Sequence, residues 1–140
     1  MEKHYVSPEL LLGASNYTFS SDIWSVGCIF FRMLTGYHPF KEDSYLGTLF
    51  RIFKTLGTPT MTDFLEYPTI TSEQACPQFH QNYDKFPRWT GIPLESMLPA
   101  EVGAEAADLL KQLLQVEPTK RISAEKALLH AFFSDINSTL

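Results

Sequence analysis

The run Asp22-Ile23-Trp24-Ser25-Val26-Gly27-Cys28-Ile29-Phe30-Phe31-Arg32-Met33-Leu34-Thr35-Gly36 limits what this chain can fold into more than any other stretch. At about 3.6 residues per turn, Trp24, Cys28, Phe31 and Leu34 line one side of a helix. Ile23, Val26, Ile29, Phe30 and Met33 cover most of the remainder, and only Asp22, Ser25, Arg32 and Thr35 supply polar groups. A helix apolar nearly all round belongs inside a fold. This one is too short and too polar at its ends to cross a bilayer. The expectation is a central helix covered by other helices on every side. Asp22 is the oddity, a carboxylate at the start of a helix that should be buried.

The rest of the chain can supply such cover. Its 140 residues suit one domain, enough to bury a real core. With 44% hydrophobic and 14% aromatic residues, disorder is excluded as a general description. A net charge of −5 without a cluster of Lys or Arg argues against nucleic-acid binding. Cys28 and Cys76 make neither a disulfide framework nor a metal-ligand spacing, so a reducing, intracellular setting is expected. Met1-Glu2-Lys3-His4 carries no apolar signal core.

Local signals then divide the chain. Pro8 disfavours helix at Ser7 and opens a short helix, Glu9 to Leu12, that Gly13 ends. Thr18 is the expected N-cap of the central helix, with Asp22 in its first turn; Gly36 and Pro39 stop it. A second helix is expected from about Ser44 to Leu56, capped by Asp43 or Ser44. Its apolar residues Leu46, Leu49, Phe50 and Phe53 fall at i, i+3, i+4 and i+7, and Gly57-Thr58-Pro59 terminates it. Between Thr58 and Pro99 lie six of the nine prolines, Pro59, Pro68, Pro77, Pro87, Pro93 and Pro99, and periodicity fades. So long a loop-rich insert points to a specialised or docking element, with Phe79, Phe86 and Trp89 packing it down. Helix returns at Ala104 to Gln115, with Ala106, Leu109, Leu110 and Leu113 inward. Ser123 caps a last short helix to about His130, followed by Phe132 and Phe133 as expected core anchors. No strand is expected.

Several of these segments together resemble a known family. Ser7-Pro8-Glu9, Asp22-Ile23-Trp24-Ser25-Val26-Gly27, Leu34-Thr35-Gly36-Tyr37-His38-Pro39-Phe40 and Pro118-Thr119-Lys120-Arg121-Ile122-Ser123-Ala124 resemble the later half of a eukaryotic protein kinase domain. The run Leu49 to Pro59 and Phe86-Pro87-Arg88-Trp89 are most similar to cyclin-dependent kinases of the CMGC group, which carries an insert at this place. The resemblance implies a mainly α, partial protein kinase-like fold: C-lobe helices F to I over residues 1–135, an insert at about 58–99, and a tail at 136–140. The N-lobe and catalytic loop lie outside it. It also implies roles. Glu9 matches the glutamate of the A-P-E motif, paired in the family with the arginine matching Arg121. Asp22 matches the helix-F aspartate that accepts backbone N–H bonds from the catalytic loop, which would reconcile a carboxylate with burial. Trp24 and Gly27 belong to the same supporting motif. Tyr5, Val6 and Ser7 fall beside the substrate pocket, where Val6 replaces the arginine linked to proline-directed specificity and Ser7 replaces an alanine.

Other motifs of phosphoryl transfer do not occur in these residues. The family needs a Gly-rich loop, a strand lysine, H-R-D-x-x-x-x-N and D-F-G. None of the seven glycines falls in a G-x-G, and none of His4, His38, His80 or His130 precedes Arg-Asp. Asp63-Phe64-Leu65 matches D-F-G by two letters only. The expectation is no catalytic residue, no cofactor-binding residue and no metal ligand in this chain, with ATP and Mg2+ belonging to an intact parent kinase. The parent's partners would be protein substrates and a cyclin-like activator, in cytoplasm or nucleus, with no nucleic acid or membrane. Docking is expected at Ser44–Leu56 and the insert, although Tyr45 and Leu46 replace the acidic-aliphatic pair that docks small Cks-type subunits. The four histidines and two cysteines read as ordinary core or surface residues, and Glu101, Glu105 and Asp108 as a solvated helix face. Two functional readings stand: a C-lobe segment of a Ser/Thr kinase, not competent alone, or a stand-alone non-catalytic remnant that binds a protein. Either way, uncovered apolar surface around Trp24, Ile29 and Phe30 would make the isolated chain prone to associate.

Overall fold

Thr18 starts the central helix by a reciprocal cap. Its side chain accepts the Ser21 N–H at 3.3 Å, and Ser21 Oγ accepts the Thr18 N–H at 3.5 Å. The helix, Phe19–Thr35, ends where Gly36 turns left-handed at φ +83° and returns its N–H to Arg32 O at 2.7 Å. In the computed structural model, residues 3–14, 17–60 and 86–139 are described, side chains as far as residue 136. Six helices lie among them: α1 (Pro8–Leu11), α2 (Phe19–Thr35), α3 (Tyr45–Leu56), α4 (Ala104–Leu113), α5 (Ala124–Leu128) and α6 (Ser134–Thr139), joined by short 3-10 turns. No strand occurs among the described residues. Among them, too, no helix is long and apolar enough to cross a membrane.

Among the described residues, the central helix is covered on its inner side and not on its outer one, which corrects the expectation of all-round burial. Ser21, Trp24, Gly27, Cys28 and Phe31 face inward and are buried. Phe19, Val26, Ile29 and Met33 form an outward stripe, Phe19 at 91% and Met33 at 78% exposure. The reason is geometric: among the described residues α4 and the turns Lys3–Tyr5 and Pro118–Lys120 pack against α2, the first of these turns along its flank at Ser25 and Arg32. Trp24, expected among the uncovered residues, is completely buried; Ile29 is half exposed and Phe30 partly covered.

Ser44, not Asp43, caps α3, accepting the Gly47 N–H at 2.9 Å, and Gly57 ends it at φ +99°. Its buried face is Thr48, Leu49, Ile52, Phe53 and Thr55, turned away from the expected one, so Leu46 stays 43% exposed. Apolar counting misses Thr48 because a threonine can hide its hydroxyl on its own helix, here on Ser44 O at 2.9 Å.

The described part of the insert zips back onto the end of α3. Thr58 N–H donates to Trp89 O at 2.9 Å, the Thr58 hydroxyl donates to Pro87 O at 2.9 Å, and Ile92 N–H donates to Thr55 O at 2.9 Å. Gly91, at φ +80°, comes so close that a Cβ would sit 2.7 Å from Gly57 N. Phe86 is buried against Phe50 and Phe53, and Trp89 meets Phe50 edge-on at 5.6 Å. Asp63-Phe64-Leu65, Cys76, Phe79 and His80 lie outside the described residues.

α4 presents Ala106, Leu109, Leu110 and Leu113 to the core. It crosses α2 at Gly27, where a Cβ would stand 2.7 Å from Leu114 Cδ2 and 3.0 Å from Leu113 Cβ. The last part of the chain corrects a second expectation. α5 is capped by Ser123 and ends at Leu128, and neither Phe132 nor Phe133 is buried. Phe132 is 40% exposed because its turn lies at the rim, where its ring meets Phe30 edge-on at 5.2 Å.

Candidate functional site

Two segments 112 residues apart converge on the N-terminal end of α2. Pro8 at the first position of α1 holds Ser7 extended (φ −69°, ψ 153°) and sets Glu9 in the opening turn, while Leu11 and Leu12 anchor the segment in the core. Arg121 leaves the turn Pro118–Lys120, and Ile122 N–H ties the chain to Gln112 O of α4 at 3.1 Å. The two side chains meet in a two-pronged ion pair, Nη1 to Oε1 at 2.8 Å and Nη2 to Oε2 at 2.7 Å. Both are buried.

A buried charge pair needs its remaining donors satisfied, and here they are. Nε donates to Gln115 O at 2.7 Å, Nη1 also to Ser20 O at 2.9 Å, and Nη2 also to Val116 O at 3.1 Å. All five guanidinium N–H groups therefore have acceptors. Ser21 Oγ adds a bond to Glu9 Oε1 at 3.2 Å. The Trp24 ring lies against the guanidinium, 5.1 Å from Arg121 Cζ, and stacks on Phe40 at 5.4 Å and 17°. Planar, delocalised arginine suits both the fork and the aromatic face; lysine could not form the two-pronged fork. α1, α2 and the stretch after α4 are thereby locked to one another.

Asp22 is not part of this knot. It follows Ser21 by one residue, about 100° round the helix, and so falls on the outward stripe, exposed. Burial first, and then the Asp22 charge and hydrogen bond, push the neighbouring Tyr17 phenol up from its ordinary range. The expectation of a carboxylate in a buried setting is corrected: Asp22 faces out. Gly27 marks the crossing with α4, and Cys28 beside it has its thiol pushed up to about 12 by burial.

Tyr5, Val6 and Ser7 lie along the flank of α2. Ser25 Oγ donates to Tyr5 O at 2.9 Å, Arg32 Nη1 donates to the Tyr5 hydroxyl at 3.2 Å, and the Tyr5 ring lies 5.3 Å from His38. Val6 is half-buried against the core; Ser7 is buried. The structure thus groups Glu9, Arg121 and Trp24 in one knot, sets Gly27 one turn below, and leaves Asp22 and residues 5–7 on other sides of α2. Sequence reasoning missed Ser20, Ser21, Gln115 and Val116, which satisfy the pair. Thr18-x-x-Ser21 was a readable cap signal; the carbonyl acceptors had none. Among the described residues, no group of three or more His, Cys, Asp or Glu is placed to hold a metal ion.

Chemically, such a knot binds nothing and transfers nothing; it fixes distances. Comparison with known proteins gives it a context. A profile of the protein kinase domain matches residues 1–133. A cell division control protein 2 homolog 3 of Trypanosoma brucei brucei is 43% identical over 131 residues, covering 94% of this chain and 40% of that protein. Cyclin-dependent kinase B2-1 of Oryza sativa subsp. japonica is 41% identical over 138 residues, covering 97% and 38%. The chain spans about two fifths of the length of these curated relatives.

Proposed function

Because the chain belongs to the protein kinase domain family, in its cyclin-dependent kinase-like branch, we propose that it forms the later, helical part of a kinase C-lobe. In this reading the segment covers helices F to I over residues 1–135, with the insert at about 58–99 and the tail at 136–140. The whole kinase would transfer the γ-phosphoryl group of ATP, held with Mg2+, to Ser or Thr of protein substrates. These 140 residues would be the platform under that site and not competent alone.

The observation that carries the proposal is the Glu9–Arg121 pair, with every guanidinium donor satisfied and Trp24 against its face. Phosphoryl transfer is catalysed largely by positioning and electrostatics, so it needs a segment beside the substrate held in fixed register. The knot and the Ser25–Tyr5 bond supply that register for residues 5–9. Asp22, facing out from the first turn of α2, is available to accept backbone N–H bonds from a catalytic loop. Val6 offers no donor, so strict selection of proline after the target residue is not expected. A cyclin-like activator would be a partner of the whole kinase, and the exposed Tyr45 and Leu46 of α3, with the insert, offer a docking face.

The native transcript tests this directly. In-frame H-R-D and D-F-G motifs upstream are expected, and the native protein should phosphorylate Ser/Thr peptides only with ATP and Mg2+. A native protein of 140 residues with no such motifs would overturn it in favour of a protein-binding remnant.

A further inference from the structure

His130 lies between α5 and the 3-10 turn Ala131–Phe133, and only 9% of its side chain is exposed. Nδ1 accepts the Phe132 N–H at 3.0 Å, capping the turn, and Nε2 stands 2.7 Å from Asp108 Oδ2 on α4. A backbone N–H can only donate, so Nδ1 must be unprotonated. In the neutral ring the single proton is then on Nε2, directed at the Asp108 carboxylate. A second proton has one place to go, Nδ1, where it meets the Phe132 N–H head-on. Protonation removes the cap while turning the Asp108 bond into an ion pair. The two contacts of one ring respond to a proton in opposite ways.

We propose that His130 is a proton-operated latch: neutral, it fastens the turn Ala131–Phe133 and the start of α6; protonated, it keeps Asp108 and releases them. What the latch holds is specific. Phe132 covers part of Phe30 at 5.2 Å, on the helix whose outer stripe, Val26, Ile29 and Met33, is already exposed. Release would join Phe30 to that stripe and enlarge an apolar surface, favouring association in acid.

The surrounding charges are in keeping with this. Asp108 is held below the ordinary carboxylate range, first by the His130 bond and then by Gln112 Nε2 at 2.7 Å. It therefore stays charged in mildly acidic solution. On α4, the Lys111 charge acts on Asp108 in the same direction as the His130 and Gln112 bonds, lowering it further, and Glu105 lines a small cavity together with Ala131, Phe132 and Asp135 of α6. α5 contributes Glu125 and Lys126.

Amide exchange of the native protein, compared between mildly alkaline and mildly acidic solution, tests the latch. After correction for intrinsic rates, the Phe132 amide should lose protection roughly five-fold relative to α3, the scale of a lost N-cap. His130→Asn keeps an acceptor for the same amide without a titrating group and should flatten that dependence. Asp108→Asn, removing the charge that favours the protonated ring, should move the release to lower pH. Protection that does not change with pH, or His130→Asn with the wild-type dependence, would overturn the proposal. If that variant fails to fold, the nitrogen shifts of wild-type His130 decide: an Nδ1–H tautomer at pH 8 sinks the latch, and an Nε2–H tautomer whose protonation tracks the loss of protection supports it.

Discussion

The two sides of α2 carry similar apolar side chains and meet opposite fates. Trp24, Gly27, Cys28 and Phe31 are buried; Phe19, Val26, Ile29 and Met33 are not. Hydrophobic attraction is roughly proportional to area and has no direction, so it does not choose between these sides. Shape does. Gly27 opens a notch that Leu113 and Leu114 fill, and Trp24 offers a flat face to both Arg121 and Phe40. Among the described residues, the outer stripe has no comparable notch and no two-pronged ion pair. The side that packs is the one with complementary form and a satisfied ion pair.

Breaking the knot should give the largest effect. Arg121→Ala leaves Glu9 buried and unpaired, and denaturant unfolding should show a loss of ~3–5 kcal/mol. Pairing Arg121→Met with Glu9→Leu should restore part of that loss; full recovery would show that the backbone acceptors Ser20, Gln115 and Val116 matter less than the geometry implies. Filling the notch comes next. Gly27→Ala forces Leu114 aside and should cost ~1–3 kcal/mol; an unchanged midpoint would mean that the α2–α4 crossing is looser than described.

Thr18→Ala removes one half of the cap and should lower stability by ~1 kcal/mol, read from the thermal midpoint. Met33→Ser on the outer stripe should alter stability by no more than about 0.5 kcal/mol while reducing self-association in sedimentation. A large destabilisation there would show that the stripe is covered after all, and the contrast between the two sides would fall. Cys28 offers a check by chemistry. Its thiol is kept neutral in the fold, with a value raised from 9.0 to about 12. The stabilisation from burying it neutral is therefore complete below about pH 9 and is lost as pH rises towards 12. At pH 8, iodoacetamide should leave Cys28 unlabelled in the native state and label it in urea, as peptide mass spectrometry can show.

Element boundaries were largely legible because they are local. Thr18, Ser44 and Ser123 cap their helices through their own side chains, and Gly36 and Gly57 end theirs at positive φ. Faces were less so. Leu46 is exposed and Thr48 buried on α3, since a threonine that bonds to its own helix is apolar in effect. Phe132 and Phe133 are rim residues although their composition resembles core. For the site, Glu9 and Arg121 could be matched through the family pattern, but spacing alone left them indistinguishable from two unrelated surface charges.

By itself, then, the sequence determined largely where helices start and stop, that one long and mostly apolar helix follows Thr18, and to which family the pattern belongs. Each of these rests on interactions within a few residues or on an ordered set of motifs. Tertiary structure decided which side of α2 is buried, that Asp22 faces outward, and which carbonyls complete the Arg121 knot. Those outcomes depend on groups brought together from 112 residues apart, and on whether a notch and a side chain match in shape. Neither is written in local spacing.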